Sequence, residues 1–327
     1  MAAIARPFFP WLGNKEKLVP YIAPMIPPHA KEFLEAFGGS GALSLALKPK
    51  KGRLDIYNDI DDDLFNVFCC VKEKLNALVR ELKFFPIHGR TPFQFYRNIA
   101  EHQADYFRNI EEEKMTLQDR TCFTKEQAEE LMKVLDGRAE LFDVVRAAAF
   151  LLRQYGSFSG TGQSVGIKTI NVDVIIRRLS EVNQRLQSIF LEHQNALELI
   201  PTRGDPNGVV YADPPYVDAE NTYPADFPAE NHVLLRDVLL EFPGYVIVSY
   251  NNCPLAMELY GEDFWIFSLV RENTLAQREG AIYKELIITN YDPRPLVDLQ
   301  MNLFESGAEL KWQPVLINAP YHVLKTL

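Results

Sequence analysis

Lys31-Glu-Phe-Leu-Glu-Ala-Phe-Gly-Gly-Ser-Gly41 is an alternating apolar run that stops at a glycine-rich turn, and residues 42–48 after it carry helix-forming side chains. The simplest interpretation is a strand, a tight turn and a helix. Glycines at such a turn let backbone N–H groups approach a ligand at the positive end of the helix. Asp59 follows at the spacing at which a carboxylate meets a ribose hydroxyl, which favours a nucleoside ligand over an ordinary turn before a solvated aspartate.

The same alternation of strand and helix continues along much of the chain. Residues 53–58 form a second strand candidate, and residues 61–82 have the spacing of one amphipathic helix. Further helices are predicted around residues 229–241 and 254–260. The remaining strand candidates are Ile189–Glu192, Gly208–Ala212, Gly244–Tyr250, Phe264–Val270 and Tyr283–Tyr291. Alternating strands and helices with a strand-rich end predict an open α/β sheet.

The helical stretch after residue 84 interrupts this pattern and predicts an insertion. Residues 84–145 contain scattered aromatic side chains and helical segments without strand signals. We therefore expect a discontinuous α/β domain over residues 1–83 and 166–300, with a mainly helical domain over residues 84–165 inserted into it. Residues 301–327 are a C-terminal extension to which no role is assigned.

Composition excludes several classes of protein. The chain has 327 residues, of which 47% are apolar and 24% charged, so disordered, collagen-like and disulfide-rich chains are excluded. Its four cysteines include no C-x-x-C pair, which indicates reduced thiols. Prolines and a lysine interrupt the N-terminal segment, and no apolar run is long enough to cross a bilayer. We expect a cytoplasmic protein.

The formal net charge of −10 argues against a protein that coats nucleic acid. The charge is unevenly distributed, however. Residues 1–53 hold eight basic side chains against three acidic ones, and residues 146–185 hold six against two. A protein that binds DNA transiently needs basic side chains only where phosphates lie, and these two segments are able to supply them.

Asp213-Pro214-Pro215-Tyr216 directly follows the apolar run Gly208–Ala212. A carboxylate at the end of a buried strand lies where open α/β sheets bind ligands. The two prolines fix the backbone φ angles and supply no N–H groups, so the carbonyl oxygens of this segment are rigid acceptors. The aromatic ring of Tyr216 follows directly in the sequence. A carboxylate, a carbonyl and a stacking face suit a planar group with an exocyclic NH₂, such as a base taken out of a duplex.

At this point the sequence resembles the Dam-like N6-adenine DNA methyltransferases, which transfer a methyl group from S-adenosylmethionine to adenine in duplex DNA. The segments that carry the resemblance are Pro-Trp-Leu-Gly-Asn-Lys at 10–15, Glu-Ala-Phe-Gly-Gly-Ser-Gly at 35–41, Asn-Asp-Ile-Asp at 58–61 and Asp-Pro-Pro-Tyr at 213–216. Residues 249–252 and 284–291 look like later motifs of the family. The resemblance implies a Rossmann-like fold with a mostly parallel seven-stranded sheet, a target-recognition domain at 84–165, and double-stranded DNA as partner.

The resemblance also implies roles for individual residues. The catalytic set is Asp213, Pro214, Pro215 and Tyr216. The set that binds S-adenosylmethionine is Trp11, Lys15, Glu35, Phe37, Gly38, Gly39, Gly41, Asp59, Ile60, Asn195 and Asp213. The set that binds DNA is Arg153, Tyr155, Ser157, Phe158, Ser159 and Lys168. Lys15 would neutralise the cofactor carboxylate, no metal and no membrane is implied, and the chain is expected to act as a monomer.

Three positions depart from the family pattern, and several other functions stay open. Ala36 replaces a proline, Ser157 lies within a turn where Asn is common, and Asn195 replaces an Asp expected near the cofactor's adenine. Methylation of cytosine N4 uses the same geometry, although Ser-Pro-Pro-Tyr is commoner there, and protein-glutamine methylases show Asn at the first position. A catalytically silent DNA-binding relative is a further alternative. A dinucleotide-dependent dehydrogenase is disfavoured by the missing third glycine.

Overall fold

A computed structural model describes residues 5–84, 115, 124–129, 132, 143–157, 170–216, 227–272, 282–303 and 313–321. Within these ranges, eight strands form one sheet in the order β3-β2-β1-β4-β5-β7-β6-β8. Their bounds are β1 Glu32–Glu35, β2 Leu54–Asn58, β3 Ile189–Glu192, β4 Gly208–Ala212, β5 Tyr245–Asn251, β6 Trp265–Glu272, β7 Ile282–Thr289 and β8 Val315–Asn318. The seven strands predicted from sequence are all present, with ends that differ by up to two residues.

The helices lie before, between and after these strands. Their bounds are α1 Val19–Ile22, α2 Ala42–Ala46, α3 Asp62–Glu73, α4 Leu75–Phe84, α5 Val144–Gly156, α6 Val172–Leu186, α7 Ala196–Leu199, α8 Ala229–Glu241, α9 Pro254–Tyr260 and α10 Arg294–Leu303. Short 3-10 turns cover Glu16–Leu18, Ala23–Met25 and Ile200–Thr202. None of the described helices is long and apolar enough to cross a membrane.

The direction of the strands changes across the sheet. The five strands β3, β2, β1, β4 and β5 are parallel to one another. The remaining pairs, β5 with β7, β7 with β6 and β6 with β8, are antiparallel. The chain moves outward from β1 through β2 to β3 and then returns to β4 on the other side of β1. The point where the strand order reverses therefore lies between β1 and β4, where open α/β sheets bind ligands.

Two predictions from sequence are corrected by the structure. The sheet has an eighth strand, β8, which pairs with β6 in a segment that the sequence left without a role. Its four residues alternate between exposed and half-buried at the edge of the sheet, and its apolar run of Val315, Leu316 and Ile317 is shorter than the runs from which a strand is predicted. The single helix predicted over residues 61–82 is two helices, α3 and α4, separated at Lys74, whose carbonyl accepts from the N–H groups of Ala77 and Leu78 and starts a new helix.

Alternate side chains of the central strands enter two hydrophobic cores. Leu34, Val210 and Val248 pack on one face with residues from α7, α8 and α9. Phe33 and Val209 pack on the other face with residues from α1, α2 and α10. A strand covered on both faces is apolar throughout, which explains why the segment Gly208–Ala212 has no polar side chain until it ends at Asp213.

By its internal packing the chain divides into two compact units. The first contains residues 1–7, 14–61 and 188–327 and includes the sheet. The second contains residues 8–13 and 62–187, and its described part is helical, with the four rings of Phe8, Phe9, Phe68 and Phe150 in edge contact. Since most of residues 84–165 fall outside the described ranges, the limits of the inserted domain stay a prediction.

Candidate active site

The carboxyl ends of the parallel strands bring the predicted motifs to one edge of the first unit. The glycine turn follows β1, Asp59 follows β2, and Asp213 follows β4. Because β1 is paired with both β2 and β4 in the same direction, these three loops are neighbours although the sequence separates them widely. They flank the point where the strand order reverses.

The glycine turn is held by the backbone of the next strand. Gly38 N–H donates to the Asn58 carbonyl at 2.7 Å, and Gly41 N–H donates to the Gly38 carbonyl at 2.8 Å. Gly39 and Gly41 have φ angles of 49° and 67°, in the left-handed region that only glycine enters at little cost. A Cβ at Gly38 would collide with the ring of Tyr57, whose hydroxyl donates to the Gly39 carbonyl. The turn therefore requires glycine at all three positions.

Asp59 is tied to this turn through both carboxyl oxygens. Oδ2 accepts from the N–H of Gly39 at 2.7 Å, and Oδ1 accepts from the N–H of Asp61 at 2.9 Å. Burial raises the pKa of Asp59 to about 6, while these two hydrogen bonds act in the opposite direction. The side chain is thus a fixed hydrogen-bond acceptor, ionised near neutral pH, directly beside the glycine turn.

Glu35 lies beneath the turn. It is 2% exposed, and its two oxygens accept from the N–H groups of Leu43 and Ser44 in the first residues of α2. These are amide groups that a helix leaves without partners at its start. Burial raises the pKa of Glu35 to about 7 in spite of the hydrogen bonds from Ser44 and Leu43. Glu35 therefore links the end of β1 to the start of α2, and its predicted role in cofactor binding stays a prediction.

The pKa of Glu35 makes a testable prediction about stability. The folded chain holds this proton more tightly than the unfolded chain, whose pKa is near 4.5, so ionisation lowers the free energy of unfolding as the pH rises from about 4.5 to about 7. Each pH unit between the two pKa values is worth about 1.4 kcal/mol, which gives a loss of about 3 kcal/mol. Glu35→Gln does not titrate. Urea unfolding at pH 5 to 8 should show the wild type losing this stability relative to Glu35→Gln, and parallel curves would contradict the assignment.

Asp213 is held by two donors at one carboxyl oxygen. Its Oδ1 lies 2.8 Å from Nζ of Lys15 and accepts from the hydroxyl of Ser249 at 2.8 Å. The Tyr211 hydroxyl lies 2.7 Å from the Ser249 oxygen and extends the chain of hydrogen bonds into the core. Lys15 is 5% exposed, so this ion pair is largely shielded from water. The carboxylate is fixed in position and balanced by a buried cation.

Tyr216 extends the site beyond Asp213. Its hydroxyl donates to Oε2 of Glu285 at 3.1 Å, and its ring stacks on Tyr250 with centroids 5.6 Å apart. Nζ of Lys15 lies 4.7 Å from the centre of the Tyr216 ring. Lys15, Asp213 and Tyr216 therefore form one cluster. The resemblance implied that Lys15 neutralises a cofactor carboxylate, whereas the structure pairs it with Asp213.

The other residues predicted to bind the cofactor differ in their exposure and in the side chains that they contact. Phe37 is half-buried with its ring edge-on to Phe227, and Ile60 is 52% exposed beside Asp59. Asn195 caps α7 by accepting from the N–H of Leu197. Trp11 belongs to the second unit, where its ring is 5.9 Å from that of Phe9 and 6.3 Å from that of Phe150.

The described residues of the predicted DNA-binding set lie at the end of α5. Arg153 is 3.7 Å from Asp63, and the Tyr155 hydroxyl donates to the Phe8 carbonyl at 2.6 Å. Ser157 is buried and its hydroxyl donates to the Gln154 carbonyl. Phe158, Ser159 and Lys168 lie outside the described residues.

Sequence reasoning assigned no role to Ser249 and Glu285, which complete the site. Both lie in segments noted as resembling family motifs, at 249–252 and 284–291. A signal was available for Glu285, since it directly precedes the apolar run Leu286–Ile288, and a charged residue is rarely buried without a partner. Ser249 carries no such signal, because serine is common in strands whether or not its hydroxyl contacts a functional group.

Comparisons with known proteins point to one group. The family described as D12 class N6 adenine-specific DNA methyltransferase matches residues 11–277. A curated relative, the type II methyltransferase M1.LlaDCHI of Lactococcus lactis subsp. cremoris, is 27% identical over 308 residues. That alignment covers 88% of this chain and 95% of the relative.

Proposed function

The chain belongs to the D12 class of N6 adenine-specific DNA methyltransferases, and from this premise we propose that S-adenosylmethionine is its methyl donor and that Asp213, Pro214, Pro215 and Tyr216 hold the target adenine. The observation that carries the proposal is the cluster in which the buried Lys15 contacts the half-buried Asp213 and Tyr216 after β4. By analogy with its type II relative, we also propose a role in a restriction-modification system.

The residues at the edge of the sheet suit the proposed donor. The anchored carboxylate of Asp59 is an acceptor for ribose hydroxyl groups, and the exposed side chain of Ile60 offers apolar surface to the adenine of the donor. Gly39 and Gly41 have no side chain to crowd a ligand at the turn. When bound, S-adenosylmethionine would supply an electrophilic methyl carbon, which the neutral adenine amine attacks as the carbon–sulfur bond breaks and S-adenosylhomocysteine leaves; the methylated nitrogen then gives up one proton.

The protein's contribution to this reaction is position. Asp213 and the carbonyl of Pro214 each accept one hydrogen of the adenine amino group, and the Tyr216 ring stacks on the base. These bonds direct the nitrogen lone pair away from the adenine ring and toward the methyl carbon. Lys15 and Ser249 hold Oδ1 of Asp213 in position, so the acceptor is in place before the base arrives.

The contact with DNA involves the second unit. We propose that residues 84–165 form the target-recognition domain and that Arg153 is the main contact among the described members of the predicted DNA-binding set. The hydroxyl groups of Tyr155 and Ser157 are already bound to carbonyl oxygens, whereas the Arg153 ion pair is long at 3.7 Å. A guanidinium in a loose ion pair is able to exchange its partner for a phosphate or a base edge. We propose that the chain acts as a monomer.

The proposal is tested by following methyl groups from donor to base. Purified protein with methyl-labelled S-adenosylmethionine and unmethylated duplex DNA is expected to label N6 of adenine at one recurring sequence. Sequencing that detects modified bases, applied to DNA from cells that make the protein, reports that sequence. Cells that make the Asp237→Ala variant, which removes an exposed carboxylate on α8, serve as the control and should show the same pattern of modified adenines as cells that make the wild type. Absence of label on adenine, or label from another donor, would contradict the proposal.

A further inference from the structure

Glu285 is a fully buried carboxyl group at the edge of the sheet where the site lies. It belongs to β7, and its exposed fraction is 0%. In the antiparallel pairing of β5 with β7, Glu285 lies opposite Asn251, the last residue of β5. Because β5 is parallel to β4, that end of β5 is on the same edge of the sheet as Asp213 and Tyr216. The antiparallel strand thus delivers a carboxyl group to the edge formed by the parallel strands.

The contact of Glu285 is with the part of Tyr216 farthest from the backbone. The Tyr216 hydroxyl donates to Oε2 at 3.1 Å, and the bond joins residues 69 positions apart. A buried carboxyl group is costly unless it is hydrogen-bonded, so this interaction contributes to the position of both side chains. The backbone before Tyr216 is restrained by two prolines, and the ring stacks on Tyr250. The hydroxyl bond adds a restraint at the opposite end of the ring.

We propose that Glu285 is a positioning residue that sets the plane of the Tyr216 ring for stacking on the target adenine. The inference rests on the proposed function, in which Tyr216 forms one wall of the adenine pocket. A phenol ring held at both ends presents a fixed face to the base, whereas one held only by its backbone rotates about its side-chain bonds. Since attack by the amino group depends on alignment with the methyl carbon, a small rotation of the base lowers the rate.

The test is a double-mutant cycle between Glu285→Met, which removes the acceptor, and Tyr216→Phe, which removes the donor. Each variant alone is expected to lower the rate of methyl transfer at saturating DNA and donor about fivefold, the rate equivalent of one ordinary hydrogen bond. The double variant should be no slower than the slower single variant, because both changes remove the same interaction. The dissociation constant for S-adenosylmethionine, measured without DNA, should stay at its wild-type value in all three proteins.

Controls separate this inference from the proposed function and from loss of fold. Glu258→Met replaces an exposed glutamate on α9 and should leave the rate unchanged. Thermal unfolding of each variant identifies any that fail to fold; if Glu285→Met does, Tyr216→Phe alone decides, and an unchanged rate overturns the inference. Losses that multiply in the double variant would also overturn it while leaving the proposed function intact. A wild-type protein that labels no adenine would overturn both.

Discussion

Replacing Asp213 with Ala is expected to lower the rate of methyl transfer to adenine at least about a hundredfold, while S-adenosylmethionine still binds. The carboxylate is the acceptor nearest to Lys15 and Ser249, and both of these donors would lose their partner. Without the acceptor, the amino group of the base has one fewer hydrogen bond to direct its lone pair. The measurement is single-turnover transfer of labelled methyl groups together with donor binding in the absence of DNA.

The Asp213→Ala result needs a companion variant, because removing Asp213 leaves the Lys15 ammonium buried. Losing one partner of a buried ion pair costs about 3–5 kcal/mol of stability, so the Ala variant tests folding as well as catalysis. Asp213→Asn keeps the shape and one acceptor oxygen, and we expect it to fold, to bind the donor and to transfer slowly. Asp237→Ala, on the surface of α8, should match the wild type. Near-normal turnover by Asp213→Asn and Asp213→Ala would contradict the role given to the carboxylate.

The parts of the site that could be predicted from sequence are those whose signal is local. Gly38 to Gly41 carry the turn because the conformation itself demands glycine, and the φ angles of Gly39 and Gly41 confirm it. The Asp-Pro-Pro-Tyr segment is visible because an apolar strand ends abruptly at a carboxylate. Both features are set within a few residues, so the order of β1 and β4 in the sheet does not have to be known to find them.

The remaining parts depend on how distant segments pair. Lys15 reaches Asp213 from a 3-10 turn near the N-terminus, and Glu285 reaches Tyr216 only because β7 is antiparallel to β5 in one particular register. A shift of that register by one residue would turn Glu285 to the other face of the sheet. The strand β8 was missed because its apolar run, Val315 to Ile317, is only three residues long, and its place beside β6 is set by pairing with a distant segment.

Lys15→Met is expected to reduce the transfer rate about a hundredfold, the size of effect produced by misplacing a reacting group by about 1 Å. In this variant Asp213 keeps the hydroxyl of Ser249 but loses its cation at 2.8 Å. Without the ammonium group, one of the two donors that fix Oδ1 is lost, so the carboxylate is held less firmly at the position where it accepts from the adenine amino group. Lys17→Met is the matched control, since Lys17 is exposed in the 3-10 turn that directly follows Lys15.

The Lys15→Met variant also distinguishes two roles for Lys15. The ion pair indicates that Lys15 positions Asp213, whereas the family resemblance implies that Lys15 neutralises the carboxylate of the donor. The two roles differ in the step they affect, so a donor analogue that lacks its carboxylate, decarboxylated S-adenosylmethionine, distinguishes them. If Lys15 acts on Asp213, Lys15→Met lowers the rate at saturating donor, and the ratio of affinities for the donor and the analogue equals that of the wild type. If Lys15 acts on the donor, Lys15→Met brings the ratio of the two affinities close to one, while the rate at saturating donor stays at the wild-type value. We expect the first result because Lys15 is buried and its ammonium group lies 2.8 Å from the carboxylate of Asp213.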